Sequence, residues 1–449
     1  MILVGLLSAA WAAPEASLHG DLKTFTVGSA PKAWIVAPVI PPAIEPLLPD
    51  DFDPDALVAA AGLSSDPTVQ GIVDFRLKGR IAAGKWRAEL HHALSLLPKA
   101  GGGLGAAFGG GASTGVGLTA PQLLPLTWEP DLGAQTTLRG RVDRLWVAYA
   151  PEGAEVTLGR QPITFGTGLV FTPMDVVNPF FVATIDTEYK PGVDALRVDV
   201  FAGTAGRATT VAAWSGALPI TDPDAPQVDL GDVILAENAQ VTVGVTDLVG
   251  LVGLVRSDGV FGLGTISAIG PLGVHGEVTL TLPGTESTEG QPFVRAVLGG
   301  EGRPTANTTV AVEGYYQSFG ASDPQDYLAQ ATNPRFLRGE VWLLGQGYAA
   351  VSVSQQITPL VTGSAAVIGN LLDPSALVAP SLTWSVADEA TAAIGGYLSL
   401  GRGPDEVPLE LDPTTFAVSA PPRAALARSV NSEFGLYPHA LFVSLRTYF

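Results

Sequence analysis

The chain has no cysteine among its 449 residues. That excludes disulfides, thiol nucleophiles and thiolate metal sites together. Charge is also scarce: Asp, Glu, Lys and Arg make up 15% of the residues, against about 25% in ordinary soluble domains. The net charge is −19, which argues against nucleic acid and anionic membrane surfaces as partners. Only five histidines occur, His19, His91, His92, His275 and His439, and none stands in a metal-ligand spacing of the HExxH kind. The chain is therefore read as non-enzymatic, with no metal and no cofactor. No uninterrupted apolar run reaches the roughly 18 residues that a membrane helix needs. Yet 47% of the residues are hydrophobic and the mean hydropathy is +0.31. A chain this apolar and this broken points to a membrane sheet, which must close so that its backbone groups are satisfied in lipid.

What the chain does have is alternation. Its closing stretch, Leu436–Phe449 (LYPHALFVSLRTYF), sorts into two faces, because side chains alternate along a strand. Leu441, Val443, Leu445, Thr447 and Phe449 share one face, and Ala440, Phe442, Ser444, Arg446 and Tyr448 share the other. The stretch is long enough for a tilted membrane strand, which takes about 9–11 residues. It resembles the closing strand of bacterial outer-membrane β-barrels. The resemblance implies that Phe449 is the assembly signal read by the barrel-assembly machinery. Thr447 departs from the family pattern, which usually has an apolar or aromatic residue third from the end. At the other end, Met1–Ala13 (MILVGLLSAAWAA) ends in a small-x-small pattern and is read as a signal peptide without a basic n-region. Residues 14–449 are then one barrel domain.

Along the chain, strands come in pairs. Val69–Ile81 and Lys85–Leu97 are joined by Ala82-Ala83-Gly84, and Thr137–Tyr149 and Ala154–Gln161 by Pro151-Glu152-Gly153. Long segments separate the pairs: Ser29–Pro67, Lys99–Gln135, Phe165–Gly192, Gly216–Asn238, Phe319–Gly345 with a short helix around Phe336–Leu344, and Arg402–Gly435. Leu248–Val255 (LVGLVGLV) is apolar on both faces and reads as strand or short helix. Tight turns alternating with long loops predict an all-β, antiparallel transmembrane β-barrel of about 16–18 strands, with short periplasmic turns and long extracellular loops.

The strand faces say what fills it. Asp74, Arg76, Lys78 and Arg80 share one face, as do Arg87, Glu89 and His91, then Arg139, Arg141 and Asp143, then Arg197 and Asp199, and His275 with Glu277. These faces must line the lumen, because Arg or Lys facing mid-bilayer lipid costs about 2–4 kcal/mol. Arg144 and Arg160 break the alternation and call for a bulge, an interface position or a shifted register. Trp86, Trp146, Trp214, Trp342 and Trp384 fall on strands or their ends, as interfacial girdles require. The acidic clusters Asp50, Asp51, Asp53, Asp55 and Asp222, Asp224 read as solvated faces.

One internal run carries a narrower resemblance. Gly159-Arg160-Gln161, Phe165-Gly166, Asp175 and Asn178-Pro179-Phe180 are similar to a signature of porins of the alginate-export type. The resemblance covers Arg144–Phe180 and implies that Arg160, Gln161, Asp175 and Asn178 lie at a constriction loop. Barrels of about 16–18 strands generally leave an aqueous channel. The expected function is an outer-membrane, porin-like channel for small hydrophilic solutes, anionic or sugar-like. The alternative is a non-conducting barrel for display, adhesion or anchoring. The expected partners are outer-membrane lipid, lipopolysaccharide, the assembly machinery and small solutes. The oligomeric state stays open.

Overall fold

The structure, a computed structural model, describes residues 14–38, 40, 66–98, 122–130, 132–133, 136–179, 189–214, 233–284, 290–411 and 418–449. The expected signal peptide and the two acidic clusters lie outside the described residues. Among the described residues, no helix is long and apolar enough to cross a membrane.

Eighteen strands follow one another round a ring. They are β1 (Glu15–Ala30), β2 (Thr68–Ala83), β3 (Trp86–Pro98), β4 (Thr136–Tyr149), β5 (Ala154–Gln161) and β6 (Val193–Ala202). Next come β7 (Gly206–Trp214), β8 (Val233–Val243), β9 (Thr246–Val255), β10 (Asp258–Ile269), β11 (Leu272–Leu282) and β12 (Phe293–Thr305). The last six are β13 (Thr308–Gln317), β14 (Gly347–Thr358), β15 (Val361–Asn370), β16 (Ser375–Ala387), β17 (Ala390–Leu400) and β18 (His439–Tyr448). Each pairs antiparallel with its neighbours in sequence, and β1 closes the ring on β18 from Asp21↔Tyr448 to Ala30↔His439. Closure leaves no free edge, which is the condition for a sheet in lipid. Turns such as Gly84-Lys85, Gly244-Val245 and Asp388-Glu389 gather at one end, and the long connections at the other.

Alternation decides which side each residue faces. On β18, Leu441, Val443 and Leu445 are exposed on the outer wall, and Phe442 stacks inward on Phe25 at 5.4 Å. Near the turn end, Trp86, Tyr149 and Trp384 are exposed on the outer face, as a girdle requires. Trp146 and Trp342 do not belong to it. Trp146 lies between the outward-facing Leu145 and Val147, and Trp342 lines an internal cavity.

The middle of the chain settles one open reading and corrects two expectations. Leu248–Val255 is wholly strand. Its inner residues Val249, Leu251 and Val255 are apolar because they are packed inside the barrel, not wetted. Strand β8 starts at Val233, inside the expected loop Gly216–Asn238, and there too the inner residues Ile234 and Ala236 are packed. The helix expected around Phe336–Leu344 is replaced by short helices at Tyr327–Ala331 and Pro334–Leu337. The Asn333 side chain caps the second by accepting from the Arg335 N–H at 2.9 Å, with Pro334 following it.

Candidate functional site

The interior is built by one loop that leaves the wall. After Gln161 the chain turns into the barrel and rejoins the wall at Val193. Its backbone docks on the far side. The N–H groups of Thr167, Gly168 and Met174 donate to Glu277, the latter two at 3.0 Å. Those of Leu169, Val170 and Phe171 donate to Glu313, the latter two at 2.9 Å. Glu277 is on β11 and Glu313 on β13, six and eight strands from β5 in a ring of eighteen. The loop therefore spans the lumen. Its side chains Ile163, Phe165, Met174, Val176 and Val177 pack on the inner faces of β6–β10 and fill that side.

Two backbone irregularities aim the loop's base. Strand β4 carries a bulge opposite His91 and His92, which skips Asp143 and turns both Asp143 and Arg144 inward. Gly159 has φ +119°, and a Cβ there would lie 2.2 Å from the Leu145 carbonyl oxygen. Only glycine fits, and the twist swings Arg160 inside although Leu158 before it points out. These are the two arginines that broke the alternation in the sequence.

The sequence-nominated residues fall into two groups. Arg160, Gln161, Asp175 and Asn178 anchor the loop. Arg160 binds Asp194 through two hydrogen bonds, at 2.7 and 2.8 Å. Gln161 Nε2 donates to backbone carbonyls, including Ala195 at 3.1 Å, and Asn178 donates to the Pro191 carbonyl at 3.2 Å. Asp175 pairs with Lys190 at 2.6 Å. Burial pushes the Asp175 carboxyl up to about 6 against the pull of that ammonium, and pushes the Lys190 ammonium down. The second group is the charged rows of β2–β6. Arg76 and Arg141 both reach Asp143, at 3.2 and 2.5 Å, and Arg76 also lies 3.6 Å from Asp74. The Tyr189 ring lies 3.6 Å from the Arg76 guanidinium and 4.6 Å from that of Arg144. Lys78 meets Asp21 at 2.7 Å, Arg197 meets Asp199 at 2.9 Å, and Arg87 pairs with Glu155. Glu89 meets His91 at 2.6 Å, and Arg139 meets Glu129 at 2.5 Å. Arg80 is opposite Glu89 in the β2–β3 register. Arg76 and Arg141 are thus locked into a buried network, while Lys78, Arg87 and Arg207 keep 27%, 33% and 42% of their side chains exposed.

Several residues central to this geometry were not legible beforehand. Glu313, Asp194, Tyr189 and Lys190 all hold the loop or its base. Glu313 had a signal: it is the one charged residue in TTVAVEGYYQ, on the same face as Tyr315 and Gln317. Asp194 and Tyr189 meet partners on other strands, and Lys190 meets Asp175 within the same loop.

A second assembly caps the loop end of the barrel. Glu433, fully buried, accepts from Leu344 N–H at 2.9 Å, from Asn370 Nδ2 at 2.8 Å and from Tyr348 Oη. Burial outweighs these donors and pushes its carboxyl up to about 7, from an ordinary 4.5. The sign follows from linkage. A carboxyl raised in the folded state contributes fully below its unfolded value and loses that contribution as pH rises through about 7. Hydrogen exchange of residues 426–437, corrected for intrinsic rates, is expected to be slower at pH 5.5 than at pH 8, and Glu433→Gln should flatten the difference. Equal corrected protection at both pH values would refute it.

No protein-family model and no curated protein matches this sequence. Solved structures do match, over nearly the whole chain. Pseudomonas aeruginosa OpdK, solved with vanillate, is 9% identical, with a TM-score of 0.53 over 97% of this chain and 98% of that one. Acinetobacter baumannii OccAB3 is 8% identical, with a TM-score of 0.52 over 97% and 99%. P. aeruginosa OccK2 (OpdF), solved in complex with glucuronate, is 9% identical, with a TM-score of 0.52 over 97% and 98%. The fold is that of the outer-membrane porins. At these identities the likeness concerns the architecture alone: the porin fold is shared, while the lumen residues are this chain's own.

Proposed function

We propose that this barrel is an outer-membrane channel for small hydrophilic solutes, with anions favoured. The observation that carries the reading is the division of the lumen. The crossing loop fills the loop-end side of β6–β10, while the wall from β18 through β5 and the turn-end parts of β6 and β7 carry charged rows with partly exposed cations. A low-dielectric wall focuses such a field and raises the local concentration of anions. The neighbours solved with vanillate and with glucuronate, both anions, agree with that class. The narrower likeness to alginate-export porins rests on the Gly159–Phe180 run alone, and the porins found by structural comparison are of another kind. Loop end outward, turn end in the periplasm, is the orientation this reading implies.

The cations to test are the wetted ones. Removing Arg76 would leave Asp143 short of a buried partner, a change worth about 3–5 kcal/mol. The variant Lys78→Gln/Arg87→Gln/Arg207→Gln avoids this, because Asp21 and Asp199 keep Arg446 and Arg197. In planar bilayers its anion-to-cation permeability ratio, read from reversal potentials in a salt gradient, is expected to fall several-fold. An unchanged ratio would remove these side chains from the conduction path. A native barrel that never conducts would favour the display or anchoring role, with the buried Glu433 assembly as its closed cap.

A further inference from the structure

Most buried cations inside the barrel have a carboxylate. Arg295, on β12, does not. It is 9% exposed, and among the described residues it makes no ion pair. Its one hydrogen bond there is from Nη1 to the Glu340 carbonyl, at 3.3 Å, and its Nε has no partner. On the neighbouring strand its register partner is Thr279, whose buried Oγ1 also lacks a hydrogen bond.

The nearby carboxylates are paired with other arginines. Arg335 reaches Asp258 at 2.5 Å and Glu340 at 3.2 Å. Arg338 and Arg256 also point at Glu340, at 2.8 and 3.7 Å. Among the described residues, the side-chain carboxylates of Asp258 and Glu340 pair with Arg335, Arg338 and Arg256, and neither pairs with Arg295. Burying a guanidinium without a counter-charge is costly even after relaxation. Space for one exists beside it. Arg295 lines a cavity of about 40 Å³ with Phe171, Tyr315, Trp342 and Glu340. It also lines a second of about 30 Å³ that shares Pro179, Glu340 and Val341 with the first. A single water needs about 10–15 Å³ measured this way, so the space takes a small ion and not a drug-sized solute.

We infer that the cavity at Arg295, between the crossing loop and the 318–346 connection, binds a small monovalent anion, of halide or carboxylate-head size. The site is distinct from the charged rows. Strand β12 is nine strands from β3 in either direction round the ring, so it stands on the opposite wall. The inference is also independent of the channel reading: a blocked barrel can hold the ion, and a conducting one can lack it.

The test is bromide. Crystals of the full barrel grown with a bulky anion and then soaked in sodium bromide are expected to show an anomalous peak in contact with the Arg295 guanidinium. In Arg295→Gln, verified as folded by heat-modifiable mobility, the peak should be lost. No peak in the native barrel, or a peak that persists in Arg295→Gln, would overturn the assignment. If Arg295→Gln fails to fold, the native crystal decides alone, by presence or absence of bromide at that guanidinium.

Discussion

Replacing Glu277 and Glu313 together by alanine is expected to raise single-channel conductance several-fold and make the open state noisy. Six backbone N–H groups of the crossing loop converge on these two carboxylates. Hydrogen bonds to a charged group contribute about 1.5–3 kcal/mol each, so the docking far exceeds thermal energy and a single lost bond would hardly free the loop. Both carboxylates must go. His275 Nε2 donates to Glu313 at 2.7 Å, which adds to its fixed position. The strands themselves keep their ladders, so the double variant should still be heat-modifiable. Planar-bilayer recordings read the conductance, and protease cleavage between Ile163 and Pro179 reads loop release independently. Unchanged conductance together with unchanged cleavage would mean that the apolar packing on β6–β10 holds the loop without the carboxylates.

A loss of most folded barrel is expected from Phe449→Ala and, separately, from Gly20→Leu. The ring seam between β18 and β1 is fastened on both faces. Inside, Asp21 joins Lys78 at 2.7 Å to Arg446 at 3.0 Å. Outside, Phe449 exchanges two backbone hydrogen bonds with Gly20, at 2.8 and 2.9 Å. Its ring covers Gly20 and stacks on Phe75 at 6.0 Å. A Cβ at Gly20 would lie 2.3 Å from that ring, so leucine expels it. The seam forms between strands more than 400 residues apart in sequence, as in Asp21↔Tyr448, and pays the largest loop-closure entropy of any pair in the barrel. Its last contacts are where small losses decide whether the ring closes. The fraction of unboiled protein running as the compact form on gels measures this. Normal folding of both variants would show that the inner ion pairs and the ladder suffice.

What the sequence determined by itself is the wall. Strand existence, the inward and outward faces and the side on which long loops gather all follow from a period of two, and a period needs only neighbours in sequence. Arg76, Glu89, Arg141 and Asp199 were placed on inner faces that way. The same logic could not separate strand from helix at Leu248–Val255, and it missed the start of β8 at Val233–Ala236, because there the inner face is covered by the crossing loop and is as apolar as the outer one. Tertiary structure alone decided what the charges do. Arg144 and Arg160 turn inward through a bulge at Asp143 and the positive φ of Gly159, which have no periodic signature. Glu277 and Glu313 read as lumen polar residues, yet they hold a loop whose root is six and eight strands away. Arg295 looks in sequence like any other inward arginine. That no carboxylate among the described residues pairs with it is visible only in the folded barrel, because charge balance in a closed interior is a property of the whole ring and not of any one strand.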